Sequence, residues 1–222
     1  MKNPRIGSGF TLVELMVVVV IITVLASAVF LFSKRAINRA EKMAAIQQMR
    51  DLGAGLEGYI ADYGRAPIPG GKAPGINRDK EPGWDTIYGD PPQPKRNYGN
   101  EAIIGALSGD GASDFRMDNG EIFRAKQLNP KGNQYLRFPF SKEMKNGVGE
   151  DGRLYDPWGF EVVIAINSHA LGSPPDERRL DTYGLGEWTD KKPRFERYAF
   201  WSYGKDGMKD ESLSQSDDVA FW

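Results

Sequence analysis

The sequence predicts an α+β protein: one very long N-terminal helix, then a strand-forming C-terminal third. Three observations carry this. Phe10 to Phe32 is almost purely apolar, yet the mean hydropathy of the whole chain is −0.49, so one membrane-seeking segment is joined to a hydrophilic body. No helix breaker separates Phe32 from the next segment, where apolar residues recur at Ile46, Met49, Leu52, Leu56, Tyr59 or Ile60, and Tyr63. Steps of three and four define one face of an amphipathic helix. Phe160–Ile166 and Tyr198–Tyr203 are short apolar runs bounded by turn residues, the signature of strands.

Composition narrows the function. A chain of 222 residues suffices for one ordinary domain plus an extra element. With 29 Lys+Arg against 30 Asp+Glu, the net charge of −1 gives no electrostatic case for nucleic acid. The absence of Cys excludes disulfides, thiol catalysis and Cys-ligated zinc. The single His, His169, excludes a His-pair metal site and reads as a surface or turn residue. Gly70-Gly71-Lys72 lacks the upstream Gly and the following Ser/Thr of a phosphate-binding loop. No nucleophile motif stands anywhere, so the chain is not expected to be an enzyme.

The first element begins with Met1–Gly9, a short polar leader whose charges are Lys2 and Arg5. The apolar run that follows, about 23 residues, makes a helix of roughly 34 Å, enough to cross a bilayer core of about 30 Å. Positive charge ahead of the span keeps that end in the cytoplasm. Lys34, Arg35 and Arg39 after the span work against this rule. Ala26-Ser27-Ala28 resembles a signal-peptidase site, but the apolar run is too long for a signal peptide and carries Glu14. A plain transmembrane anchor leaves Glu14 unexplained, because a carboxylate deep in lipid costs about 2.5–3.5 kcal/mol.

The string Gly9-Phe10-Thr11-Leu12-Val13-Glu14-Leu15 resembles the class III signal of type IV pilins and pseudopilins. The resemblance implies that a prepilin peptidase cuts after Gly9 and that the new terminal Phe10 is N-methylated. It implies that Glu14 pairs with the free amino terminus of a neighbouring subunit during assembly. The physics agrees: an ammonium on Phe10 and a carboxylate on Glu14 are each costly in lipid alone and much less so when paired.

The helix continues through the polar stretch Ser33–Lys42 and is expected to end near Asp62, with Gly64 as its stop and Pro67 beyond. Gly53, Gly55 and Gly58 each cost about 1 kcal/mol of helix propensity against Ala, which suits close approach to a sheet. Tyr59–Pro67 also resembles the helix exit of type II secretion pseudopilins. Ile68–Asn97 reads as a Pro- and Gly-rich loop pinned by Trp84, Ile87 and Tyr88. Glu101–Leu107 is a short helix candidate. Asp110–Glu121 is a solvated acidic loop: Arg116 and Asn119 break the EF-hand template. Asn129–Phe138 resembles a stretch of some relatives of the major pseudopilin.

In the last third, Asp156-Pro157-Trp158-Gly159 initiates a turn into the strand Phe160–Ile166. Leu171–Pro193 is a polar excursion longer than a hairpin needs, before the strand Tyr198–Tyr203. Asp-Pro-Trp-Gly ahead of a strand resembles the major pseudopilin, protein G, of type II secretion systems, and implies a small antiparallel sheet packed on the long helix. Ser202–Gly207 followed by Asp217-Asp218 and the terminal Trp222 resembles that family's calcium loop. Carried over, Asp206 with Asp217 or Asp218 supply carboxylates and Tyr203 a carbonyl. Met208–Ser216 is longer than the family's loop and lacks glycine, which adds Asp210 and Glu211 as competitors.

These resemblances imply a pilin-like α+β fold with a leader over 1–9, a transmembrane and assembly half of the helix over 10–33, and a periplasmic domain over 34–222. The implied function is a structural subunit of a type II secretion pseudopilus in the bacterial inner membrane. Its expected partners are copies of itself, minor pseudopilins, the prepilin peptidase, the inner-membrane assembly platform and membrane lipid, with Ca²⁺ as ligand and no nucleic acid. The alternatives are a type IV pilin of a surface filament and a membrane-tethered binding protein with a pilin-like signal.

Overall fold

A computed structural model describes residues 11–68, 86–89, 99–109, 114–116, 122–166, 185–188 and 197–222. Helix α1 runs from Leu12 to Tyr63, and strands and short helices follow, so the fold is α+β. The chain divides into two compact units, Met1–Ala40 and Glu41–Trp222.

In the first unit α1 exposes its apolar side chains, for example Leu12 at 82 % and Val24 at 62 %. Among the described residues no helix is long and apolar enough to cross a membrane. The span expected over Phe10–Phe32 includes Phe10 and the side chains of Ala28, Phe30, Leu31 and Phe32, which lie outside the described set.

In the second unit α1 buries Ala45, Met49, Leu52, Leu56 and Tyr59, a stripe with helical spacing. Ile46, Ile60 and Tyr63 pack half-buried along its margins. A β-carbon at Gly53 would stand 3.3 Å from the Phe221 ring, and one at Gly55 would stand 3.0 Å from Leu136. The glycines therefore let the helix backbone approach both neighbours. Gly64 ends the helix with φ +66°, its N–H bonded to the Ile60 carbonyl at 2.8 Å. In the last turn ahead of that stop, Tyr59 Oη donates to the Leu128 carbonyl at 2.6 Å and Tyr63 Oη to Asn129 at 2.8 Å, while Asp62 accepts from Tyr135 Oη at 2.7 Å.

The main sheet is antiparallel in the order β1 (Thr86–Tyr88), β6 (Val163–Ile166), β7 (Tyr198–Ser202), β8 (Val219–Phe221). Ile164 pairs with Phe200, and Phe200 with Phe221; these three face the core shared with α1. Their neighbours Val163, Trp201 and Ala220 pair likewise and face the opposite side. That side is also covered: Leu185 and Trp188 of α4 (Leu185–Trp188) close over Val163, Ala165, Ala199, Trp201 and Tyr203. This explains why β6 is apolar on both faces rather than alternating.

The structure departs from the sequence reading in four places. Within the expected loop 68–97, β1 pairs with β6 (Tyr88 opposite Ile164), and Tyr88 is fully buried. Within the expected acidic loop, β2 (Asp114–Arg116) pairs with β3 (Ile122–Arg124) as a hairpin. The polar excursion holds α4, whose two buried residues form the lid just described. The strand expected from Phe160 starts at Val163, because residues 160–162 pair back on 154–156 instead: Asp156 N–H donates to the Phe160 carbonyl at 2.8 Å and Val162 N–H to the Leu154 carbonyl at 3.0 Å. Trp84, His169 and Gly70-Gly71-Lys72 lie outside the described residues.

Helix α2 (Glu101–Ser108) agrees with expectation and buries Ala102, Ile103, Ile104 and Leu107. Ahead of it Asn100 is fully buried; its amide donates to the Leu154 and Val162 carbonyls and accepts the Leu154 N–H. Helix α3 (Ala125–Leu128) follows β3, and β4 (Gly147–Val148) pairs with β5 (Leu154–Tyr155).

Candidate assembly signal and acidic loop

At the start of α1, Thr11 and Glu14 cap the helix reciprocally. Thr11 N–H and Oγ1 both donate to Glu14 Oε2 at 2.9 Å, and Glu14 N–H donates to Thr11 Oγ1 at 3.2 Å. This is a capping box, Thr-x-x-Glu, satisfying donors the first helical turn would otherwise leave unpaired. Thr-x-x-Glu ahead of an apolar run is the local signature of this cap. Gly9 and Phe10 lie outside the described residues.

The Asp-Pro-Trp-Gly turn is organised by Asp156, which is fully buried. Its Oδ1 accepts the N–H groups of Trp158, Gly159 and Phe160 at 2.9, 2.8 and 2.9 Å. Its Oδ2 accepts the Ser202 hydroxyl from the end of β7. Three converging backbone donors form a nest for a carboxylate. The Trp158 indole N–H reaches Glu41 on α1 at 3.1 Å. The tryptophan thus works through a polar bond to the helix as well as through apolar area.

The terminal loop follows directly. Asp206, Asp210 and Asp217 each bring a carboxylate oxygen within 4.8 Å of the others. Gly204 makes this possible: its φ is +65°, and a β-carbon there would stand 2.7 Å from Asp217. Asp217 Oδ2 accepts the Lys205 N–H, and Asp206 Oδ1 the Met208 N–H at 2.9 Å. Of the expected set, Asp206 and Asp217 come together, with Asp210 as the third member.

Asp218 is placed otherwise. It is 4 % exposed, its Oδ2 accepts the Asp210 N–H at 3.0 Å, and its Oδ1 is buried without a hydrogen-bond partner. Burial pushes its carboxyl up to about 6, helped by the Asp210 and Asp217 charges and opposed by the Asp210 N–H. Tyr203 is buried with Trp201 on the outer face of the sheet, and Glu211 is exposed outside the converging group. Three carboxylates fit a hard cation, since ligands on opposite sides of one Ca²⁺ stand about 5 Å apart.

Residues 7–30 match the prokaryotic N-terminal methylation motif. The chain carries a type IV pilin-like prepilin signal. No curated protein and no solved structure matches the chain significantly. The matched stretch contains Gly9, Phe10 and Glu14, and a signal of this kind belongs to pilin-like precursors that prepilin peptidase processes.

Proposed function

We propose that this chain is a structural subunit of a type II secretion pseudopilus, of the major, protein G-like class. In this reading prepilin peptidase removes residues 1–9, Phe10 becomes the methylated terminus, and residues 10–33 anchor the subunit in the inner membrane. The domain lies in the periplasm, and copies assemble with minor pseudopilins on the inner-membrane platform. The observation that carries the class assignment is the meeting of two motifs: the Asp156 nest and the Asp206–Asp210–Asp217 loop are bonded through Ser202 and Gly204. The loop holds Ca²⁺ through those three carboxylates, with Asp218 buried against them.

Deleting the gene in the native host tests the reading. The expected result is loss of protein export with surface filaments unchanged. Loss of surface filaments with export intact would assign the chain to a type IV pilus.

A further inference from the structure

The acidic loop and the Asp-Pro-Trp-Gly turn grip adjacent residues of one helical turn. Lys42 Nζ donates to the Ser216 carbonyl at 2.9 Å in a half-buried contact, and Ser216 immediately precedes Asp217. Glu41 accepts the Trp158 indole N–H at 3.1 Å. The two gripping segments are also bonded to each other. Asp156 holds the Ser202 hydroxyl, Ser202 Oγ accepts the Gly204 N–H at 3.1 Å, and Lys205 N–H donates to Asp217. The result is a closed ring of contacts: Glu41, Trp158, Asp156, Ser202, Gly204–Lys205, Asp217, Ser216, Lys42.

One segment of this ring depends on charge. Asp206, Asp210 and Asp217 repel one another until a cation neutralises them. The backbone carrying Asp217 also carries the carbonyl that Lys42 holds, so fixing one carboxylate fixes that carbonyl. The Trp158–Asp156–Ser202 side has no such dependence, since backbone and hydroxyl donors already satisfy Asp156.

We propose that Lys42 couples cation occupancy of the acidic loop to α1: a cation held by Asp206, Asp210 and Asp217 fixes the Ser216 carbonyl, which then holds the Glu41–Lys42 turn. This rests on the calcium reading above and assigns it a consequence, an α1 turn firm when the loop is loaded and loose when it is empty. Coupling of this kind is reciprocal. Affinity is nevertheless a poor measure of it, because removing the Lys42 charge by itself strengthens cation binding. Protection of the helix is the direct measure.

The test uses the full-length protein in detergent micelles, stripped with chelator and compared with and without CaCl₂. Calorimetry reports binding, and hydrogen exchange reports the amides of residues 38–46. In the unaltered protein Ca²⁺ should slow exchange there by about fivefold or more. Lys42→Met should still bind Ca²⁺ but lose that slowing, while Lys42→Arg, which can still donate to the carbonyl, should keep it. Lys42→Gln, too short to reach Ser216, should behave like Lys42→Met and serves if the methionine variant does not fold. Equal slowing in Lys42→Met, or no slowing in the unaltered protein despite binding, overturns the coupling and leaves the calcium reading intact. No Ca²⁺ binding to the unaltered protein removes both.

Discussion

At the scale of single residues, buried carboxylates decide the behaviour of this fold. Glu161 is 14 % exposed; its Oε1 accepts the Asn100 N–H at 2.6 Å, and its Oε2 lies 3.4 Å from Arg153. Burial pushes it up to about 7; the Asn100 N–H and Arg153 oppose the shift, and Glu101 and Asp151 add to it. Because the folded value exceeds the unfolded one, the folded state holds the extra proton between about 4.5 and 7. This contribution is therefore full below about pH 4.5 and is lost as pH rises through about 7, on the order of 3 kcal/mol. Melting should occur at higher temperature at pH 5 than at pH 8, and Glu161→Gln should flatten that difference. An unchanged pH dependence in the variant would contradict the assignment. The acidic loop gives a second prediction. Ca²⁺ at a hundredfold excess over Kd should raise stability by about 2.7 kcal/mol. Thermal melts of chelator-stripped protein should show that Asp206→Ala and Asp210→Ala each remove most of this gain. Asp114→Ala, in the β2–β3 hairpin, should not. A melting temperature unmoved by Ca²⁺ would mean that protein contacts alone hold the loop, and equal calcium gains in all three variants would place the ion elsewhere.

At the scale of elements, α1 combines an exposed apolar half with a half that is folded into the domain. Glu14 serves the helix through the Thr11 box and, in the proposed filament, a neighbour's amino terminus through its charge. Glu14→Gln separates the roles, since it keeps the acceptor for Thr11 and loses the charge. Both Glu14→Ala and Glu14→Gln should be processed and membrane-bound yet fail to form filaments by shearing and electron microscopy. Normal filaments from Glu14→Gln would reduce Glu14 to a helix cap. The sequence announced α1 because its period runs unbroken from Ile46 to Tyr63, and it announced β6 and β7 because apolar β-formers cluster there. It hid β1, a three-residue strand among Pro and Gly, whose partner β6 lies far along the chain. It hid α4 as well, since Leu-Gly-Glu-Trp is too short to show a period. In the acidic loop, Asp206 with Asp217 or Asp218 came from the resemblance to the pseudopilin calcium loop, not from periodicity or spacing. That Asp210 rather than Asp218 converges with them depends on how the nine glycine-free residues Met208–Ser216 fold back, which has no local signature. Asp156 was readable as a turn former, but its bond to Ser202 spans two distant segments and has no local signature.

At the scale of the whole molecule, the prepilin signal and the folded unit ask for one life history. In the proposed reading, the peptidase cut after Gly9 frees an amino group at Phe10 and removes the charges of Lys2 and Arg5, leaving an apolar helix headed by one carboxylate. In that reading Glu14 has two partners: its own Thr11, which donates hydrogen bonds to it, and a neighbour's ammonium terminus, which neutralises its charge. The folded unit brings a core on each face of its sheet and a loop on which the carboxylates of Asp206, Asp210 and Asp217 converge. All of this depends on where the mature chain begins. Intact-mass measurement of the protein extracted from membranes tests that directly. The account predicts a chain starting at Phe10 with one added methyl group; a terminus at Val29, the product of ordinary signal peptidase acting after Ala28, would contradict it.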